Sequence, residues 1–254
     1  MKVAFFLLDG DTNASSRQRA LQYFPLLRQH GIDAVASRPV PEPVYQRLVE
    51  RGRHTAGAKA AYYGLFLAQR TLDVLRAGRF DAAVIQRDLF PFGPPWLEHL
   101  LAARAASLVY DTDDATYLRP GFTRNTPFQR LRRFDKVVEV ATRARWISAA
   151  TQPIADWAGR NNPNVSVVPM AVNLAEYERA SASVEDQRQK DGPVVIGWAG
   201  TAGGLHYLDN LAPVLRDLAA RHDLVVRVIS GGYRDVCLPG LTVDARPWRP
   251  AHGL

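Results

Sequence analysis

The chain has 254 residues, 47% of them hydrophobic, which is enough to bury a sizeable core in one large or two modest domains and excludes a disordered composition. A single cysteine, Cys237, excludes an intramolecular disulfide, and the first apolar run, residues 3–8, is too short for a signal peptide or a membrane span. The sequence therefore predicts a cytoplasmic protein. Its formal net charge of +7 favours an anionic partner.

Apolar runs alternate with amphipathic stretches over the first two thirds of the chain. The predicted strands are residues 3–8, 32–37, 81–86, 107–110, 146–149 and 165–168. The predicted helices run from a cap at Ser15 or Ser16 to Gly31, with a kink at Pro25, and over 56–77, 96–104, 128–143 and 151–158, with a loop at 39–43. This alternation predicts an α/β, doubly wound parallel sheet, a Rossmann-like domain over residues 1–173.

The composition changes after this domain. Residues 174–192 are polar and lack an apolar stripe, so we interpret them as a linker. The β-branched run at 194–196 is typical of a strand buried on both faces, and further strands are predicted at 224–229 and 241–245. The intervening helix has an apolar stripe of Leu208, Leu211, Leu215 and Leu218. Residues 193–254 are therefore predicted to form an incomplete second Rossmann-like domain.

The turn at 200–204 is built almost entirely of small residues. A phosphate could approach its backbone N–H groups and the positive end of the following helix dipole. The pattern is neither GxGxxG nor a P-loop, and a tight turn that binds nothing is an equal alternative. Trp198, just before the turn, and Trp248 are interpreted as packing residues, and the alternative is a platform for a sugar ring.

Three acidic residues, Asp111, Asp113 and Asp114, follow the strand at 107–110. They are expected at the edge of the sheet where ligands bind in such folds. Two neighbouring carboxylates can raise the pKa of one of them, which suits a general base for an acceptor hydroxyl. The alternatives are a helix cap and a metal site.

Cationic and hydroxyl residues are expected at the same edge. Ser16, Arg17 and Arg19 lie at the start of the first helix, and Arg87 follows the strand at 81–86. These residues could bind an anionic acceptor or a diphosphate. For the first three, the alternative is capping and solvent exposure. For Arg87 it is an ion pair with Asp88.

Residues 119–145 contain eight basic residues against Asp135 and Glu139. Such a stretch suits anionic lipid, an anionic substrate or nucleic acid, and a solvated helix face is the alternative. No nucleic-acid-binding signature or interleaved aromatic pattern accompanies it, so we predict no nucleic-acid partner.

Five segments together resemble GT-B glycosyltransferases of the family 4 type. They are SSRQRALQYFPLLRQHGID at 15–33, VIQRDLFPFGPPWLEHLL at 84–101, VYDTDDATYL at 109–118, VVPMAVNLAEY at 167–177 and VVIGWAGTAGGLHYLDNLAPVLRDLA from residue 194. The resemblance implies an N-terminal acceptor domain, a C-terminal donor domain and a nucleotide sugar bound between them. It implies no cofactor besides this co-substrate and no metal.

Carried onto this sequence, the resemblance gives a set of donor-binding residues. They are Gly200, Thr201, Gly203, Gly204 and, as a partial substitute for a cation, His206. Related enzymes place an arginine and a lysine near the diphosphate, whereas this chain has neither between Lys190 and Arg216.

The resemblance also implies a function. The family's donor domain continues past the segment at 246–248, so we expect a fragment, a truncated product or a degenerate member. The expected activity is transfer of a hexose or similar sugar from a nucleotide sugar to a hydroxyl of a carbohydrate or lipid-linked acceptor, in cell-surface polysaccharide or glycoconjugate synthesis. Asp113 or Asp114 would act on the acceptor, and the stretch at 119–145 would hold the protein at the inner face of an anionic membrane. The alternative is a non-catalytic module that binds a nucleotide or a partner.

Overall fold

The computed structural model describes residues 1–7, 10, 13–45, 56–118, 131–174, 178, 192–200, 204–231 and 236–248. The chain divides into two compact units, Met1–Asn173 and Leu174–Leu254. The predicted linker at 174–192 lies almost entirely outside the described residues, as does the part of the basic stretch from 119 to 130.

The first unit is built on six parallel strands. They are β1 Lys2–Phe6, β2 Asp33–Ser37, β3 Ala82–Gln86, β4 Leu108–Thr112, β5 Trp146–Ala149 and β6 Val165–Val167. Their order across the sheet is β2-β1-β3-β4-β5-β6, and each neighbouring pair is parallel. The predicted α/β fold with a doubly wound parallel sheet is therefore confirmed. Small and β-branched side chains in the strands let helices pack on the sheet.

Helices connect these strands. They are α1 Ala14–Arg19, α2 Phe24–Gln29, α3 Glu42–Tyr45, α4 Ala56–Leu75, α5 Trp96–Arg104, α6 Lys136–Arg143 and α7 Gln152–Gly159. Short 3₁₀ turns occupy Leu21–Tyr23 and Ala77–Arg79. The main core combines strand residues such as Phe6 and Ile85 with helix residues such as Val74, Leu101 and Val140. No helix in the described part of the chain is both long and apolar enough to cross a membrane.

The first helix differs from its prediction at both ends. Its cap is Asn13, whose side chain accepts a hydrogen bond from the N–H of Ser16 at 3.1 Å, so the helix begins before Ser15. It ends at Ala20, whose φ of −133° and ψ of −66° are not helical. Pro25 then lies in the first turn of α2, where its missing N–H costs no hydrogen bond, and the predicted kink is wrong.

Two further boundaries differ in ways that matter for the site. Strand β4 continues through Asp111 and Thr112, so Asp111 pairs in register with Gln86 and Ser148 instead of lying in a loop. The predicted basic helix over 128–143 is described only as α6, which begins at Lys136. Lys136 is buried, so it does not belong to a basic surface.

The second unit contains three parallel strands and one long helix. Strands β7 Val194–Gly200, β8 Leu224–Ser230 and β9 Thr242–Pro247 lie in that order, and α8 His206–Ala219 packs on one face through Leu208, Ala212 and Leu215. The prediction that β7 is buried on both faces is wrong, because Val194 is 56% exposed on this edge strand. Leu211, expected in the apolar stripe, is also exposed.

Candidate functional site

The strand order of the first unit reverses direction between β1 and β3. Strand β2 lies on one side of β1, whereas β3, β4 and β5 follow on the other. In open α/β sheets, the crevice outside the carboxyl ends of the strands at such a switch point is the usual ligand site. The segments leading out of β3 and β4 and the helix α1 bring polar side chains together at this edge.

Arg87 is the centre of this cluster. Its Nε donates to Oδ1 of Asp113 at 2.7 Å, and its Nη2 lies 2.5 Å from Oδ2 of Asp114 and 3.1 Å from Oγ of Ser15. The hydroxyl of Ser15 in turn donates to Oδ2 of Asp113 at 2.6 Å. Arg87 therefore links three segments that are far apart in the sequence.

The backbone of Arg87 is strained. Its φ is +62°, and among the described residues it is the only non-glycine residue with a positive φ. A side chain in the left-handed region costs of order 1 kcal/mol and persists where surrounding contacts hold it. The N–H of Arg87 donates to the carbonyl oxygen of Asp111 at 3.0 Å, which fixes this conformation.

The two aspartates of the cluster have different environments. The side chain of Asp113 is 3% exposed and that of Asp114 is 63% exposed. Burial raises the pKa of Asp113, but hydrogen bonds from Arg87 and Ser15 and the charge of Arg87 lower it by more, so that its net pKa is lowered. The expectation of a raised pKa is wrong for Asp113, which is held as an ionised partner of Arg87. Asp114 is the carboxylate that faces solvent.

Arg19 is engaged in a second ion pair. Its Nε donates to Oδ2 of Asp111 at 3.1 Å, and its Nη2 donates to Oδ1 of Asp111 and, at 2.9 Å, to Oγ of Ser148. Its Nη1 donates to the carbonyl oxygen of Val168. With its side chain 3% exposed, Arg19 joins α1 to β4 and β5 instead of extending into solvent.

The other two residues expected at the start of the first helix differ from each other. Ser16 is fully buried, and its hydroxyl lies 3.3 Å from Oε1 of Gln86 at the end of β3. It therefore fixes α1 against the sheet. Arg17 lies one residue further along, is partly buried, and donates its N–H to the carbonyl oxygen of Asn13 at 3.1 Å.

A buried charge cluster next to Arg87 was not predicted from the sequence. Nζ of Lys136 lies 3.2 Å from Oε1 of Glu98 and 3.6 Å from Oδ2 of Asp88, and it donates to the carbonyl oxygen of Phe90. Glu98 also accepts the N–H of Leu89 at 3.1 Å. The carboxylate of Asp88 thus pairs with Lys136, whereas the ion pairs of Arg87 go to Asp113 and Asp114. This cluster fixes the segment after β3 against α5 and α6.

In the second unit, the predicted donor turn lies between β7 and α8. Thr201 and Gly203 lie outside the described residues, whereas Gly200 ends β7 and Gly204 precedes the helix. A Cβ added at Gly200 would come within 2.6 Å of the Trp198 ring, and one added at Gly204 within 3.4 Å. The indole of Trp198 therefore lies close to both Gly200 and Gly204, and it packs against the core of this unit, as interpreted from the sequence.

His206 is the first residue of α8. It is exposed, and its ring centroid lies 4.0 Å from that of Tyr207. The residue before it, Leu205, forms no side-chain cap on the helix. The first amides of α8 therefore receive no side-chain acceptor from the cap position, and the first turn also carries the polar side chains of His206, Tyr207 and Asp209.

Comparisons with known proteins give a distant structural likeness. No protein-family model and no curated protein matches the chain. Among solved structures, the chain is similar to UGT89C1 of Arabidopsis thaliana complexed with UDP-L-rhamnose, with 13% sequence identity and a TM-score of 0.49. The match covers 91% of this chain and 62% of that chain, so this chain spans about three fifths of its length.

Proposed function

We propose that the protein is a glycosyltransferase that moves a sugar from a nucleotide-sugar donor to a hydroxyl of a carbohydrate or lipid-linked acceptor. The observation that carries the proposal is the cluster of Arg87, Asp113 and Asp114 at the switch point of the first sheet. The ordered resemblance of five sequence segments to GT-B enzymes of the family 4 type supports it. Because folds host many functions, the proposal depends on the cluster and not on the fold.

In this proposal Asp114 acts on the acceptor. Its side chain is 63% exposed and is oriented by Arg87, so a hydroxyl can reach its free oxygen. Asp113 and Ser15 act through Arg87, because they hold the guanidinium from the buried side. The carboxylate of Asp114 then orients the acceptor hydroxyl and accepts its proton as the bond to the sugar forms.

The donor diphosphate is assigned to the turn between β7 and α8. Departure of a nucleoside diphosphate develops negative charge, which backbone amides and a helix N-terminus stabilise without a proton transfer. Gly200 and Gly204 bring no side chain to this turn, and His206 adds a polar ring at the start of α8. Thr201 and Gly203 are assigned to the same role from the resemblance.

A panel of UDP-, GDP- and TDP-sugars tests this proposal. Full-length protein is incubated with each donor and with lipid and oligosaccharide acceptors, and release of nucleoside diphosphate is followed by liquid chromatography. Release with one donor that depends on an acceptor supports transfer. A well-folded sample that releases none with any donor contradicts it.

The sequence and Trp198 also favour a second candidate, a binding module without transfer. The chain has no arginine or lysine between Lys190 and Arg216, and the indole lies close to Gly200 and Gly204. Calorimetric titration with the same donors separates the two candidates. Binding of a nucleotide sugar without turnover favours the module.

We also propose that the basic stretch at 119–145 contacts the anionic surface of a membrane. Of its described members, Arg132, Arg133, Arg143 and Arg145 are exposed. Exposed arginines attract anionic headgroups within about a Debye length of the surface.

A further inference from the structure

The first unit contains a cavity of about 590 Å³ between Tyr117, the segment 132–138 and Trp157 of α7. Its volume lies within the range typical of small-molecule sites, roughly 300 to 1,000 Å³. Its lining residues are Tyr117, Phe134, Val138 and Trp157, which are apolar or aromatic, together with Arg132, Arg133 and Asp135. The three aromatic residues are half-buried, whereas Val138 and the three charged residues are exposed, so the cavity is an open depression with an aromatic wall and a charged edge.

The aromatic side chains that line this cavity are held in place by packing. The rings of Tyr117 and Trp157 are stacked, with centroids 4.3 Å apart and an interplanar angle of 8°. Both rings also pack against the main core of the unit. A wall that is already packed loses little conformational entropy when a ligand binds, which favours affinity.

The arginines belong to a short segment that is held at both ends. The N–H of Gly93 donates to the carbonyl oxygen of Leu131 at 3.1 Å, and Phe92 and Arg132 form a β-bridge. Three residues after Arg133, Lys136 is fixed in its buried ion pair with Glu98. The backbone that carries both guanidinium groups is therefore positioned before any ligand arrives.

Both guanidinium groups can accept an anionic ligand. Arg132 lies over the ring of Phe134 at 5.2 Å, a contact that uses the flat face of the guanidinium and leaves its N–H edge for an anion. Arg133 pairs with Asp135, and both side chains are about half exposed. Because an exposed ion pair contributes little, a phosphate can replace Asp135 as the partner of Arg133.

We propose that this cavity binds an amphiphile that carries a phosphate on an apolar chain. The chain lies against Tyr117, Phe134, Val138 and Trp157, and the phosphate binds Arg132 and Arg133. Leu118 and Leu131, the chain neighbours of two lining residues, are 59% and 60% exposed, which extends the apolar surface toward a lipid.

This assignment rests on the proposed function in one respect, namely that the amphiphile is the acceptor. Tyr117 follows Asp114 by three residues, so their Cα atoms are at most about 11 Å apart. The aromatic wall at Tyr117 therefore belongs to the same short segment as the exposed carboxylate of Asp114, so an amphiphile bound against this wall is held close to that segment. The inference selects a lipid-linked acceptor over a water-soluble carbohydrate.

Isothermal titration of the full-length protein with farnesyl phosphate, below its micelle concentration, tests the proposal. Farnesol and inorganic phosphate are the matched probes for the chain and for the anion alone. We expect farnesyl phosphate to bind at least tenfold more tightly than either. Equal affinity for inorganic phosphate would assign the arginines to a free anion and overturn the proposal, and so would equal affinity for farnesol or no binding at all.

Variants locate the binding on the cavity. Arg132→Gln and Arg133→Gln should each weaken farnesyl phosphate binding about tenfold, the usual loss for a charge-assisted hydrogen bond. Asp135→Asn should strengthen it, because Arg133 loses its competing partner. Arg76→Gln removes an exposed arginine that follows α4 and does not line the cavity, and it should change the affinity less than twofold. An equal loss in Arg76→Gln would show unspecific charge attraction and would overturn the proposal.

The two proposals fail separately, because the titration contains no nucleotide sugar. Binding with the expected variant pattern but no transfer from any donor would leave the cavity assignment standing and contradict the glycosyltransferase proposal. Sugar transfer to an acceptor without any binding of farnesyl phosphate would support the glycosyltransferase proposal and contradict the cavity assignment.

Discussion

Oδ1 of Asp113 accepts a hydrogen bond from Nε of Arg87 at 2.7 Å, on side chains that are 3% and 19% exposed. This pair joins the segments that leave β3 and β4, and it holds Arg87 in a left-handed backbone conformation. Because Nη2 of Arg87 also pairs with Asp114, the same guanidinium contacts a buried and an exposed carboxylate.

Replacing Asp113 by asparagine should destabilise the first unit. Arg87 would keep Asp114 but lose its buried anionic partner, and loss of a charged hydrogen bond costs about 2 kcal/mol. Urea unfolding, followed by hydrogen exchange of peptides from the first unit, measures the change. Asp156→Asn, at an exposed aspartate of α7, is the control and should have an effect below about 0.5 kcal/mol. Equal stability of the two variants would contradict the structural role of Asp113.

The same pair predicts a pH dependence of stability. The pKa of Asp113 is lowered in the folded protein from its ordinary value of 3.8. A lowered folded pKa stabilises the protein fully above that ordinary value, and the contribution is lost as the pH falls through the folded pKa. The difference in unfolding free energy between wild type and Asp113→Asn should therefore be constant from pH 7 to about 5 and shrink below about pH 4. A difference that stays constant down to pH 2 would contradict the lowered pKa.

The approach of Trp198 to Gly200 predicts a selective effect of glycine replacement. A Cβ at Gly200 would meet the indole at 2.6 Å, whereas one at Gly197 in the same strand meets nothing within 4 Å. Gly200→Ala should cost about 1–3 kcal/mol by overpacking, and Gly197→Ala should be neutral or slightly stabilising. Thermal unfolding of the two variants checks this.

A partner variant separates overpacking from backbone strain at this position. If the indole causes the loss, Trp198→Leu should reduce the cost of Gly200→Ala in the double variant. If Gly200→Ala costs the same with and without Trp198, the close approach is not its cause.

The buried Lys136 should be sensitive to loss of its charge. Lys136→Met would leave Glu98 and Asp88 as neighbouring buried carboxylates, and breaking a buried pair costs about 3 kcal/mol or more. Glu98→Gln in the same chain should restore part of the stability, because its amide oxygen still accepts the N–H of Leu89. Differential scanning calorimetry measures both changes. An unchanged melting temperature in Lys136→Met would contradict the ion cluster.

The sequence predicted the first sheet well because each strand is a contiguous apolar run whose signal is local. It did not predict that Lys136 and Arg70 are buried, since a charged residue gives no local sign of a distant partner. Arg70, on α4, donates to the carbonyl oxygens of Leu7, which follows β1, and of Ser37, which ends β2. The burial of β7 was also predicted wrongly. The apolar pattern of a strand does not show whether helices cover both faces of its sheet or whether the strand lies at an edge.

The candidate site was predicted in part. The expected position of Asp113, Asp114 and Arg87 at the ends of parallel strands follows from topology, and the structure brings these three residues together. The burial of Ser16 and Arg19 was not predicted from the sequence. Which side chains of a helix face the sheet depends on where the helix begins, and here the cap is Asn13. Their assignment to acceptor binding, like that of the donor turn, stays a prediction.

Sugar transfer by Asp114→Asn protein tests the central claim most directly. With the donor and acceptor that support turnover, the rate of nucleoside diphosphate release is compared among wild type, Asp114→Asn and the control Asp156→Asn. Loss of a general base lowers such rates by about 10²-fold or more, so the account predicts this loss in Asp114→Asn, unchanged stability of that variant and a near-normal rate in the control. A rate in Asp114→Asn equal to that of wild type would contradict the account.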